Sequence, residues 1–193
     1  SSSEDNAIVV NNSGMINFSS DMKTVTNKDK REVVVSRNSQ VTLTDEKGKL
    51  IEQHKLIYGA TLFVKDQTNV EPGLKVAGWD PYTRPIISEV EGIIKFTDID
   101  DGVTVRSKTD ELTGLSSIEV IDVAERPSAG KDKVPSIALV DAKGKPVPLG
   151  EHKTPANYSL PAKALVNLKD GKKLHAGEVL ARIPLEGSKT KDI

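Results

Sequence analysis

The 193-residue sequence contains no cysteine, which excludes disulfides, thiolate zinc sites and cysteine nucleophiles and fits a reducing compartment. Aromatic residues are scarce: one Trp, three Tyr and three Phe. A core must therefore come from Val, Ile and Leu. No charge of one sign dominates, with 27 Lys and Arg against 28 Asp and Glu, so no global field draws the chain to nucleic acid or to a membrane surface. No run approaches the roughly 18 apolar residues of a membrane-spanning helix, and Ser1–Asn6 lacks the makeup of a secretory signal. A helical period is sustained in no window of about eleven residues, so helix content is expected to be low. The Ser1–Ser3 start and the charged Lys191–Ile193 end read as a segment of a longer chain.

What is present is a series of short apolar runs divided by turn residues, the pattern of strands. Residues 1–30 form a poorly defined lead-in carrying two strand candidates, Ile8–Val10 and Met15–Phe18. Lys23–Arg31 reads as a solvated charged turn. Glu32–Val35 and Gln40–Thr44 are strands, and Asp45–Lys49 is a hairpin turn. Lys55–Val64 is expected to be a strand pair around Tyr58-Gly59. Further strands are expected at Val103–Arg106, Ile118–Val123, Pro135–Val140, Ala164–Leu168 and Glu178–Ile183, with a loop over Arg126–Val134.

The stretch from Lys65 to Phe96 holds the only Trp and the densest turn punctuation, Pro72-Gly73, Trp79-Asp80-Pro81 and Glu91-Gly92. It resembles the hammerhead of biotinyl and lipoyl carrier domains, with Trp79–Pro85 as the tip of a hairpin. In carriers that tip presents the modified lysine, and here it holds none. Lys163 precedes the corresponding element of the second half and reads as an exposed strand lysine.

The chain also repeats itself. Asp45-Glu-Lys-Gly-Lys49 returns as Asp141-Ala-Lys-Gly-Lys145, and an offset of 104 maps Ala60 to Ala164, Asp66 to Asp170, Gly73 to Gly177 and Ala77 to Ala181. About eight extra residues enter the second copy near Pro146–Thr154. Two tandem β domains follow, drawn at residues 1–105 and 106–193.

Catalytic constellations are missing from the pattern. His54, His152 and His175 have no metal-ligand spacing. Asp98–Gly102 fails the calcium-loop register, with Gly102 at position 5 and Thr109 at position 12. Glu89 and Glu91 share a strand face, which is too little for a glycosidase pair. Trp79, Tyr82 and Arg84 are interface-prone types, and Lys169, Lys172 and Lys173 form a basic loop in a second half that also carries Lys131, Lys133, Lys143 and Lys145. These six residues, Trp79 to Lys173, are the candidate contact surface, with no catalytic, cofactor-binding or metal-ligating residue among them. On residues alone the chain is a non-catalytic binding or scaffold module.

Several blocks carry a closer resemblance: Trp79-Asp80-Pro81, Ile86–Phe96, Asp110–Ser117, Ala124-Glu125-Arg126, Gly130-Lys131-Asp132, Leu180–Pro184 and Thr190–Ile193. From about Val33 to Ile193 the chain resembles the large insertion in the trigger loop of the β′ subunit of proteobacterial RNA polymerase. The resemblance implies an all-β fold of two sandwich-barrel hybrid motifs, and chain re-entry into the trigger loop at Thr190–Ile193. It implies that the polymerase's magnesium and zinc are bound outside these residues, leaving this segment without cofactor or activity while its parent is a nucleotidyltransferase. The implied partners are the rest of β′, the β, α and ω subunits, and downstream DNA or transcription factors. The implied location is the cytoplasm, and the implied role is modulation of pausing, elongation and transcript cleavage. An independent nucleic-acid or protein docking module is the competing expectation.

Overall fold

The structure is a computed structural model and describes residues 6–185. These residues form strands and two short 3-10 turns, with no α-helix among them. The chain divides into two compact units, the first ending at Pro81 and the second starting at Tyr82.

The first unit is made of β1 (Ala7–Val9), β2 (Gly14–Phe18), β3 (Thr24–Thr26), β4 (Glu32–Val34), β5 (Gln40–Thr44), β6 (Leu50–Lys55), β7 (Thr61–Leu62), β8 (Asn69–Val70) and β9 (Lys75–Gly78). One sheet has the order β1-β9-β7-β4-β3 and the other β6-β5-β2-β8. In β5 the alternation Gln40, Val41, Thr42, Leu43, Thr44 buries Val41 and Leu43 completely, as period-two patterning requires. With Val10, Ile16, Val34, Leu56 and Val76 they make one aliphatic core, against which Phe18 and Trp79 pack.

The second unit contains β10 (Thr83–Ile87), β11 (Gly92–Thr97), β12 (Val105–Thr109), β13 (Ser116–Val120), β14 (Ser136–Val140), β15 (Pro148–Leu149), β16 (Thr154–Pro155), β17 (Asn157–Ser159), β18 (Leu165–Val166), β19 (Lys173–Leu174) and β20 (Val179–Pro184). Its sheets run β10-β20-β18-β13-β12 and β17-β14-β11-β19. Strand for strand this is the order of the first unit. The small hairpin β15–β16 is the addition, and it sits where the extra residues of the second copy were expected.

The duplication extends to single hydrogen bonds. Asp45 Oδ1 accepts from the N–H groups of Lys47 and Lys49, and Asp141 Oδ1 accepts from those of Lys143 and Lys145, all at 2.9 Å. The Asp66 carboxylate accepts from the Phe18 N–H at 2.8 Å, and that of Asp170 from the Phe96 N–H at 2.9 Å. Gly14 and Gly92 open equivalent strands for one reason. A Cβ on Gly14 would lie 2.6 Å from the Thr44 carbonyl oxygen, and one on Gly92 3.0 Å from Leu139 Cβ. Gly92, marked in the sequence as turn punctuation, thus permits close strand approach.

Several expectations are corrected. Trp79–Pro85 is not a hairpin: β9 pairs with β1 and β7, whereas β10 pairs with β20. The segment is the passage from one unit to the next. The expected border at 105/106 falls at the start of β12, which pairs along its length with β13 inside the second unit. Lys55–Val64 is not a strand pair either. β6 joins β5 in one sheet and β7 joins β4 and β9 in the other, so the chain changes sheets at Tyr58-Gly59. Thr24–Thr26, read as charged turn, is strand, and Lys163 lies in a turn with φ of 70°. Thr190–Ile193 lies outside the described residues.

Candidate interaction surfaces

The six candidate residues fall on two separate units. Trp79 follows β9 on the first unit, half-buried against its core, and its N–H donates to the Asn6 carbonyl at 3.0 Å. Tyr82 is exposed at the start of the second unit, and its carbonyl accepts from Leu185 N–H at 3.0 Å. Arg84 is an exposed residue of β10, opposite Ile183 of β20.

Lys169 and Lys172 belong to the exposed turn before β19. That turn is held to β11 by backbone: Ile94 N–H donates to the Lys172 carbonyl at 2.9 Å, and Gly171 N–H to the Ile94 carbonyl at 2.8 Å. Its lysines are therefore carried on a fixed frame. Lys173 is partly compensated, because its Nζ lies 3.9 Å from Glu91 Oε1, which also sits 3.2 Å from His175 Nδ1.

A feature absent from the sequence reading surrounds Trp79. An open groove of about 470 Å³ on the first unit is lined by Asn6, Asn27, Arg31, Phe63, Lys75 and Trp79, with Asp29 and Thr61 beside them. The Arg31 guanidinium lies 5.2 Å and the Lys75 ammonium 5.4 Å from the Phe63 ring centroid, within cation–π range. Arg31 is aimed by its turn, in which Asn27 Oδ1 accepts from the N–H groups of Asp29 and Arg31. Nothing in the spacing of Arg31, Phe63 and Lys75 announces the cluster, since β4, β7 and β9 meet only through sheet order. The offset of 104 replaces Phe63 by Asn167 and Lys75 by Val179, so the second unit has no counterpart.

Acidic residues that suggested a cation site are used within the fold. Asp98 accepts from the Val134 N–H at 3.0 Å, and Asp100 pairs with Lys133. The hydrogen bond to Asp100 and its charge raise the Lys133 ammonium above its ordinary pKa. Nearby Arg126, 6% exposed, donates to the carbonyls of Ile121, Gly130 and Lys133 and so ties down the excursion between β13 and β14. On the first unit, burial pushes the Glu52 carboxyl upward. Hydrogen bonds from His54, Asn12 and the Asn11 N–H outweigh it and hold the group below its usual range. Among the described residues no three His, Asp or Glu side chains converge to hold a metal ion.

No protein-family model matches the chain. It is 50% identical over 189 residues to the DNA-directed RNA polymerase subunit beta' of Idiomarina loihiensis, a match covering 98% of this chain. The same subunit of Aliivibrio fischeri is 51% identical over 189 residues, and that of Cellvibrio japonicus 50% over 172. The chain is homologous to a segment of the RNA polymerase β′ subunit. It spans about an eighth of that subunit, 13% of the Idiomarina and Aliivibrio proteins. The relatives are subunits of DNA-directed RNA polymerases, and the two units described above correspond to one β-built segment of that subunit.

Proposed function

We propose that this segment is a non-catalytic insertion in the trigger loop of β′, which biases loop opening and closing and thereby tunes elongation, pausing and transcript cleavage. The observation that supports the reading is that a segment with two hydrophobic cores of its own matches the β′ subunit over 98% of its length while covering only 13% of that subunit. A body of that kind inserted in a moving loop acts through contacts that differ between the loop's two states; equal contacts shift nothing. A difference of about 1.4 kcal/mol changes the ratio of states tenfold. On this reading the magnesium and zinc of the polymerase are held by other parts of β′. The segment works in the cytoplasm beside the β, α and ω subunits, close to downstream DNA and transcription factors.

The contact candidates are the Arg31, Phe63, Lys75 and Trp79 groove, Tyr82 with Arg84, and the Lys169–Lys173 turn. The test replaces the segment by a short flexible linker in the whole polymerase and compares nucleotide-addition rates and pause lifetimes. The expected result is retained RNA synthesis with altered pausing or cleavage. Unchanged rates throughout would reject the tuning role.

The basic Lys169–Lys173 turn keeps one second reading in view, an independent nucleic-acid module. That reading requires salt-dependent binding of the isolated segment to DNA or RNA. Absence of binding at low salt removes it.

A further inference from the structure

The groove on the first unit is built over a glycine that its strand does not require. Gly78 pairs with Thr61 inside the sheet, and its φ lies outside the left-handed region. The offset of 104 puts Arg182 at the same point of β20, so the strand accepts a long side chain there. What Gly78 leaves is room: a Cβ on it would lie 3.0 Å from Lys75 Cε and 3.3 Å from Phe63 Cε2. Thr61 and Phe63 alternate with Leu62, which faces the core, so they stand on the outer face of the sheet beside this gap. Phe63 is 37% exposed, and its N–H is held by the Val76 carbonyl at 2.8 Å.

Two cations converge on that ring without an anionic partner. Arg31 and Lys75 both lie over Phe63, and neither forms an ion pair among the described residues. On the second unit, by contrast, Arg106 and Lys108 share Glu119, and Lys133 takes Asp100. The turn that carries Arg31 is closed at both ends. Asn27 N–H donates to the Arg31 carbonyl at 2.8 Å, and Arg31 N–H returns to Asn27 Oδ1 at 2.9 Å. Asn27 thereby spends its oxygen on the turn and keeps its Nδ2 donors for the groove.

We propose that this groove binds a nucleoside monophosphate, its phosphate between Arg31 and Lys75 and its base in the gap over Gly78, beside Phe63 and Trp79. The volume of about 470 Å³ is that of a small-molecule site. An inorganic anion would use the two charges and leave the aromatic surface uncovered. Phosphate suits the pair, since Arg offers a planar fork and Lys a point charge. A phosphate monoester carries about two negative charges, which Arg31 and Lys75 match. The Asp29 carboxylate in the lining opposes the further charge of a polyphosphate and accepts from a ribose hydroxyl or an exocyclic amine. The amides of Asn6 and Asn27 supply donors for the heteroatoms of the base. This inference goes beyond the trigger-loop reading and stands or falls independently of it.

The experiment follows the amide spectrum of the 193-residue chain while AMP, inorganic phosphate, adenosine, ATP, a tetraglutamate peptide or a short oligodeoxythymidylate is added. AMP should move the resonances of Arg31, Phe63, Lys75 and Trp79 saturably, and bind about tenfold more tightly than phosphate, adenosine or the peptide. ATP should bind no more tightly than AMP. Arg31→Gln should weaken AMP about tenfold, and Phe63→Leu should reduce AMP to the level of phosphate. Both positions are exposed, and unchanged resonances over 82–185 check that each variant is folded. Lys172→Gln on the second unit should leave AMP binding as it was. Equal affinity for AMP, phosphate and peptide would reduce the groove to a patch of charge and overturn the proposal. Shifts centred on Lys169–Lys173, or binding of the oligonucleotide without binding of AMP, would also overturn it. Glu4 and Asp5 precede Asn6 in the sequence; AMP binding that appears only after Glu4→Gln and Asp5→Asn would assign the groove to the chain's own acidic residues instead.

Discussion

The two units share a strand order and a set of turn hydrogen bonds, yet they differ in what they show to solvent. The first carries a groove of Arg31, Phe63, Lys75 and Trp79 with a polar hairpin tip. The second carries exposed Leu112 and Leu115 on its β12–β13 hairpin tip, a longer β13–β14 excursion pinned by Arg126, and a basic turn. Shared features are those that the fold needs: Asp45 and Asp141 closing hairpins, Asp66 and Asp170 capping strands, Gly14 and Gly92 admitting a neighbouring backbone. Apart from Lys169, whose counterpart is the exposed Lys65, the contact candidates fall on features that differ. Two copies of one scaffold thus separate folding requirements from surface specialisation without any other sequence.

The comparison can be broken most forcefully at the core. Leu43 and Leu139 are equivalent and fully buried, and replacing either by Ala costs about 2–5 kcal/mol. Leu139→Ala should speed amide exchange across residues 82–185 and leave 6–81 unchanged. Exchange rising equally in both units would show that they do not fold as separate bodies. Arg126→Ala should cost about 3 kcal/mol, since three carbonyls, those of Ile121 and Gly130 buried and that of Lys133 partly so, lose a charged donor. Urea unfolding of the second unit measures it, and the first unit offers no equivalent position.

A smaller effect sharpens the comparison at left-handed backbone positions. The first unit places Gly59 at φ of 90° where the second places Lys163 at φ of 70°, and both N–H groups make the same sheet-linking bond, to Val34 and Val120. The situation reverses at Gln67 and Gly171, with φ of 63° and 86°. Lys163→Gly should therefore stabilise the second unit by about 0.5–1 kcal/mol, and Gly59→Lys should destabilise the first by a similar amount.

The smallest effect is electrostatic and confined to the first unit. The folded pKa of Glu52 is depressed, so its contribution is complete above the unfolded carboxylate value and is lost as pH falls through the folded value. Glu52→Gln should flatten the acid side of the first unit's stability profile and leave the second unit's profile unaltered. An identical pH profile for the variant would count against this account of the carboxyl.

Much of this fold is legible in the residues. Alternation in Gln40–Thr44, the Asp-x-x-Gly turns and the offset of 104 lead to an all-β duplicated chain, and the insertion near Pro146–Thr154 is found as expected. The repeat's earlier half is harder to see because its offset changes, from 78 at Gly14 and Gly92 to 96 at Asp45 and Asp141. That drift hid the equivalence of Gly14-Met-Ile-Asn-Phe18 with Gly92-Ile-Ile-Lys-Phe96 and pushed the expected border into β12. Trp79–Pro85 misled because turn residues between two strands look alike whether the strands pair or part. Two-residue strands such as β8 and β19 carry no period at all. The groove escaped because cation–π neighbours are brought together by sheet order, and the leucine tip because exposure is not encoded in hydropathy.

The central claim is that the surface on which the units differ, and not their common scaffold, carries the segment's work. Grafting the Asn27–Arg31 turn in place of Asp110–Leu115 in the whole polymerase tests it most directly, since both turns close with a backbone hydrogen bond across their ends, at 2.8 and 2.9 Å. Pause lifetimes of the grafted enzyme should move in the direction produced by replacing the entire segment with a linker. Pausing identical to the unmodified enzyme, alongside a clear effect of linker replacement, would contradict the claim.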